Sequence, residues 1–245
     1  MSVTKWLMAC GLLLTATGCG SAADNKTPEE LLSLSVSGLS GVDKYAFSGD
    51  TGIGLTEISP IKAMTFQGTV ENHNNVRVKA NNPDSVASTI HPLEFLRQVE
   101  ASAQTTELLP AESGNRTAVL RIKADEKKSK EMWTTKLRNE FSALEKKVPS
   151  ASDHGMKSKQ STGSGKSSAL DKEWREELSR SKAQLEAMLD SLQVQSQYRL
   201  IIDRKKLLPL KLEEKTRLNY KADGQSRTET RVTKLAFMGL DGRAL

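Results

Sequence analysis

From Gln197 to Phe237 the apolar residues fall on every second position. Tyr198, Leu200 and Ile202 alternate with polar neighbours, and after a turn at Asp203 to Lys206 the same period returns at Leu208, Leu210, Leu212, Leu218 and Tyr220. A period of two is the spacing of side chains on one face of a strand. Asp223-Gly224 has the residues of a two-residue hairpin turn. The last strand carries Thr228, Thr230 and Val232 and then Leu235 and Phe237, a change of phase near Thr233 that predicts a β-bulge. Strands joined by tight turns pair antiparallel, because a parallel neighbour needs a crossover of about a dozen residues. An antiparallel sheet with one apolar face needs a cover, and helices must supply it. The expected class is α+β.

The rest of the chain fits that expectation. Between Lys44 and Ala80 the pairs Tyr45/Phe47, Ile53/Leu55, Met64/Phe66/Val70 and Val76/Val78 keep the period of two. Ser59-Pro60 and Asn72 to Asn75 are the turns between them. Arg116 to Ala124 reads as a further strand through Val119 and Ile122. Thr27-Pro28-Glu29-Glu30 combines an N-cap, a proline at the first helical position and an acid three residues after the cap, so a helix begins there and ends around Gly38 to Gly41. His91-Pro92-Leu93 opens a second helix with the stripe Leu93, Leu96, Val99 and Ala103. Residues 127–194 hold two longer stripes, Trp133, Leu137, Phe141, Leu144 and Val148, then Trp174, Leu178, Ser181, Leu185, Met188 and Leu192. Their spacing of three and four predicts a helical hairpin with an apolar seam. Residues 149–168 between them are Ser, Gly and Lys with little to bury, and are expected to be a flexible loop.

The N-terminus has the layout of an export signal. Lys5 precedes an apolar run from Trp6 to Ala16, too short for the roughly 20 residues of a spanning helix. The run ends at Ala16-Thr17-Gly18-Cys19, which resembles the lipobox of bacterial prolipoproteins. Residues 1–18 are thus expected to be a signal peptide and Cys19 to take a lipid anchor, with acyl chains such as palmitate. The other cysteine, Cys10, lies inside the signal, so the mature chain has no possible disulfide, and lipidation removes an otherwise exposed thiol. Two acyl chains hold a protein stably where one is marginal. Residues 19–26 form a tether of at most about 25 Å, which keeps the domain from 27 to 245 at the extracytoplasmic face of the cell membrane.

The order of elements, a lipobox, a capped helix, antiparallel strands, a helix, a strand, a helical segment and closing strands around Ile202-Asp203 and Leu208-Pro209-Leu210-Lys211-Leu212, resembles the LolA/LppX-like bacterial lipoprotein superfamily. The superfamily includes envelope lipid carriers, lipoprotein chaperones and Gram-positive sporulation or germination lipoproteins. The resemblance covers roughly residues 27 to 245, and the helical hairpin is larger than the usual insertion. It implies a curved half-barrel covered by helices, with a lipid or lipidated protein on its concave face. The lining implied by that fold is Phe47, Phe66, Leu200, Leu210, Leu212, Leu218 and Phe237, with Leu93, Phe95 and Leu96 on the covering helix. Apolar residues on a half-buried sheet are more often plain core.

Other chemistries lack their residues. Gly163-Ser164-Gly165-Lys166-Ser167 suggests a phosphate loop, but Gln160 stands where a glycine is needed and no buried strand precedes it. His73, His91 and His154 have no nucleophile context and no metal-ligand spacing, so no catalytic site, metal or cofactor is expected. Of 36 Lys and Arg only Lys5 precedes Cys19, leaving 35 basic against 30 acidic side chains. This excess suits an anionic leaflet or wall polymer. With 4% aromatics and no basic run interleaved with rings, nucleic acid is a poor partner. Two readings remain: an anchored module that binds a hydrophobic ligand, or an envelope interaction protein with a filled core and a protein partner. Cys19→Ala should leave the protein unprocessed or move it out of the membrane fraction. Normal cleavage and unchanged fractionation of that variant would count against the anchor.

Overall fold

The computed structural model describes residues 25–54, 61–81, 91–147 and 164–240. The signal peptide, Cys19, the Ser59-Pro60 turn, Val148 and His154 lie outside the described residues. The described chain is α+β, with four helices and one eight-stranded antiparallel sheet that does not close into a barrel. The elements run α1 (Pro28–Ser40), β1 (Tyr45–Gly54), β2 (Ile61–Glu71), β3 (Asn75–Ala80), α2 (Pro92–Ser102), β4 (Ala103–Leu108), β5 (Thr117–Ala124), α3 (Glu126–Lys147), α4 (Ser164–Ser191), β6 (Gln193–Asp203), β7 (Leu208–Ala222) and β8 (Gln225–Met238). The strand order is β3-β2-β1-β8-β7-β6-β5-β4. Two meanders are therefore joined where the first strand pairs with the last.

Local chemistry sets the element ends. Thr27 caps α1 by accepting from the Glu30 amide at 3.2 Å, and the Glu30 carboxylate accepts from the Thr27 amide at 2.8 Å, the reciprocal box that the sequence predicts. Asp223 and Gly224 both sit at positive φ, 53° and 75°, and make the two-residue turn between β7 and β8. Asp203 closes the β6–β7 turn, its Oδ1 accepting from the amides of Lys205 (2.9 Å) and Lys206 (2.8 Å). Asn72 and His73 turn β2 into β3.

The main core lies on one face of the sheet. Leu31, Leu32, Val36 and Leu39 of α1 and Leu93, Leu96 and Val99 of α2 pack on Phe47, Phe66, Leu120, Ile122, Tyr198, Leu200, Leu212 and Phe237. Two glycines allow this packing. A Cβ at Gly49 would lie 2.5 Å from Phe66 Cζ, and one at Gly68 would lie 2.5 Å from Phe47 Cζ, so each ring lies over the neighbouring strand's bare backbone.

Three expectations need correction. The second helix ends at Ser102, and Ala103 instead starts β4, an edge strand too short for its alternation to show in the sequence. Helix α4 begins at Ser164, so residues 164–168 extend a helix rather than a loop. Adding a turn to a formed helix needs no new nucleus, and Ser and Lys tolerate it. No bulge occurs near Thr233, where β8 keeps register with both β7 and β1. Register shifts occur elsewhere: opposite Ile201 and Ile202, where Leu210 is the extra residue of β7, between Thr51 and Gly52 in the β1–β2 pair, and between Ala103 and Thr105 in the β4–β5 pair.

Tyr45 is buried and its hydroxyl has no hydrogen-bond partner among the described residues; burial pushes its pKa up to about 12. A raised folded-state pKa contributes stability that is complete below pH 10 and is lost as pH rises towards 12. Tyr45→Phe should keep or raise the melting temperature at pH 7 and reduce the loss of stability between pH 10 and 12. Both effects are read from thermal melts across pH.

Candidate functional site on the helix-covered face

The covered face changes character along the strands. Register sets Leu200, Leu212 and Leu235 side by side on β6, β7 and β8, and the next row on that face is Tyr198, Glu214 and Thr233, continued by Thr51 of β1. Ser196, Thr216 and Arg231 follow, and then Val194 and Leu218. Two polar rows thus separate two apolar ones. Helices α1 and α2 cover the first apolar row, whereas Trp133 of α3, Leu189 of α4 and Leu192 just after it cover Val194 and Leu218.

The polar rows are tied together by hydrogen bonds. Thr216 Oγ1 donates to Glu214 Oε1 at 2.9 Å. That uses its only proton, so in the 2.8 Å contact with Ser196 the serine hydroxyl donates. Thr51 and Thr233 share a proton at 3.3 Å. Burial, and then the nearby Glu214 carboxylate, push the Tyr198 hydroxyl well above its ordinary pKa.

Helix α3 faces these rows with Ser129, Trp133, Lys136 and Glu140, spaced four, three and four residues apart on one stripe. Trp133 is buried, with the Arg231 guanidinium 4.9 Å and the Lys136 ammonium 4.8 Å from its ring centroid. Desolvation and then Arg231 lower the Lys136 pKa, opposed by Glu214 and Glu140. Lys136 as a whole stays exposed, so this charged cluster sits at the rim of the interface. Ser129 Oγ, Trp133 Nε1 and Glu140 Oε1 are buried without a partner among the described residues. Each such group typically costs about 1–3 kcal/mol.

The residues implied as a lipid lining divide among these regions. Phe47, Phe66, Leu93, Leu96, Leu200, Leu212 and Phe237 lie in the main core, Phe95 packs beside it with its ring 6.3 Å from Tyr198, and Leu218 belongs to the cluster under α3 and α4. Leu210 is half-buried on the bulge. Phe47, Leu96, Leu200 and Leu212 are 0% exposed. A side chain lining an open, lipid-sized space would keep surface that a water-sized sphere could touch, so these four border no such space. The helices fill it. The apolar seam of the hairpin holds only near the sheet: Trp133 is buried among Leu137, Leu185, Met188 and Leu189, but Leu144 is 61% and Trp174 50% exposed. Arg138 and Glu186 also join the two helices, with Arg138 Nε 3.0 Å from the carboxylate.

Sequence reasoning missed Glu214, Thr216, Ser196 and Arg231. The signal for Arg231 was the phase change near Thr233, read as a bulge but produced by polar residues on the covered face of β8; Glu214, Thr216 and Ser196 left none. Among the described residues, no group of three or more His, Cys, Asp or Glu could hold a metal ion, and no helix is long and apolar enough to cross a membrane. The chain matches no protein-family model and no curated protein.

Trp133→Ala should cost about 3–5 kcal/mol, because the ring leaves a buried cluster. Trp174→Ala should stay within about 0.5 kcal/mol of the parent, as an exposed substitution does. Urea melts of the two variants measure the difference.

Proposed function

We propose that the protein is a lipid-anchored, extracytoplasmic envelope lipoprotein of the LolA/LppX-like kind, which binds an amphiphile, a lipid or a lipidated protein, under its α3–α4 arm. The observation that carries this reading is the unequal grip of the helices on the sheet. Under α1 and α2 the contact is apolar and filled. Under α3 a tryptophan and a small apolar cluster adjoin rows of hydroxyls, a carboxylate and two cations, with three buried polar atoms unpartnered. A helix seated on such a surface gives up less on leaving it than one seated on a dry core. The surface it would leave is amphipathic: Val194, Leu218 and Tyr220 offer apolar contact, while Arg231 and Lys136 offer charge for a polar head. Phe47, Leu200 and Leu212 then serve as structural core.

A second reading has its own support. Leu144 and Trp174, exposed towards the far end of the arm, are unusual on a solvated helix pair and suit an envelope protein that uses the arm to hold a protein partner, with no ligand inside.

Native mass spectrometry of the protein purified from bacterial membranes without delipidation separates the two. The ligand reading expects bound lipid beyond the covalent anchor, reduced severalfold by Leu218→Gln and hardly changed by Lys221→Ala. A lipid-free protein that takes none up from vesicles would favour the second reading.

A further inference from the structure

Among the described residues the opposite face of the sheet carries no helix, yet it is not featureless. A trough of about 820 Å³ runs across five strands, bordered by side chains of β3, β2, β1, β8 and β7. Register resolves it into two rows. One is Lys79, Gln67, Ser48, Ala236 and Lys211. The other is Thr65, Asp50, Lys234 and Glu213, with Asn81 bonded to Thr65 at its end. In the second row Lys234 stands in register between two acids, Asp50 and Glu213, the latter also 3.6 Å from Arg199, so this row carries charges of both signs. In the first row the two end lysines have no acidic partner among the described residues, and both are exposed. Between them lie an amide, a hydroxyl and a methyl group.

We propose that this trough is a binding site for a linear, phosphodiester-linked polyanion such as a polyol phosphate chain. Four strand spacings separate Lys79 from Lys211, about 19 Å along the sheet. Only an extended ligand can meet both ends. Charge complementarity asks for negative groups at the two ends, and the small, hydrogen-bonding floor at Ser48 and Ala236 admits an unbranched chain. Nothing in the trough favours a peptide or a nucleic acid. The only ring on its border among the described residues, Phe66, is turned to the covered face over Gly49, so those residues offer no ring for a base to stack on and no apolar pocket. A membrane surface is also a poor fit, because a plane touching the rim lysines would leave the concave floor empty. The site is on the other side of the sheet from the α3–α4 arm, and its argument does not depend on how the chain is anchored.

The test is a titration of the purified full chain with a dye-labelled synthetic glycerol-phosphate oligomer of about ten repeats at low ionic strength, read by fluorescence polarisation. Lys79→Glu/Lys211→Glu should weaken binding at least tenfold, Lys79→Arg/Lys211→Arg should retain it, and Lys172→Glu/Lys182→Glu on α4, the same change of charge, should stay within twofold of the parent. Affinity should fall steadily with added salt. Thermal melts check that the variants fold; both trough lysines are exposed, so little change is expected. Absence of binding by the parent overturns the proposal. So does equal weakening by the trough and α4 pairs, which would mean attraction to net charge alone. Phosphatidylglycerol vesicles provide a last arm: vesicle binding that needs Lys79 and Lys211 while the oligomer fails to bind would overturn the polymer in favour of a leaflet.

Discussion

The pairing of β1 with β8 is the interaction on which the architecture depends. Ala46 meets Met238 and Gly54 meets Thr230, so segments from the two ends of the described chain form the middle of the sheet. Each meander alone would expose a long unpaired edge and only part of an apolar face. Joined, they leave β3 and β4 as edges, the two shortest strands, six residues each, which suits edges that must resist pairing with other chains. The join also has an entropic cost, because the contacts are far apart in sequence and closure must precede their reward. Gly49 helps to repay it: the absent side chain lets Phe66 lie over β1 and adds a ring to the core beside Phe47.

That central pairing explains what was legible in the sequence. Alternation marked β1, β2, β5, β6 and β7, and the chemistry of Thr27 to Glu30 and of Asp223-Gly224 marked a helix start and a hairpin, because each signal is local. Which strand lies beside which is not local. Nothing near Tyr45 announces Phe237. β4 escaped because six residues with one buried position, Thr106, carry almost no pattern. Trp174 misled for a related reason: a stripe with helical spacing says that one side of the helix is apolar, but only a neighbour's position says whether that side is covered. The partner helix and the sheet reach Leu185 to Leu192, and the stripe runs on beyond them.

The covered face shows why the candidate site was only partly legible. Apolar residues implied as a ligand lining became core wherever α1 and α2 reach them. The polar rows, in contrast, were hidden by the assumption that a covered face is apolar. Glu229, Arg231 and Thr233 are on that face of β8 and Val232 is on the other, so the hydrophobic pattern slips by one residue although the backbone does not. A bulge and a polar patch under a helix produce the same written pattern. They differ only in register, and register is a property of pairs of strands.

The two faces then divide the chemistry of the molecule. On the covered side, burial makes each polar group depend on a specific partner: Thr216 spends its proton on Glu214, Ser196 spends its own on Thr216, and three buried polar atoms of α3 find no partner among the described residues. Along the trough on the other side, the lysines are exposed to water, and exposed charges there contribute little to stability. Charges retained there are free to be arranged for contact with something else. Helix α3 meets the sheet through Trp133 and through buried polar atoms without a partner among the described residues, and the trough presents cations that the fold does not use.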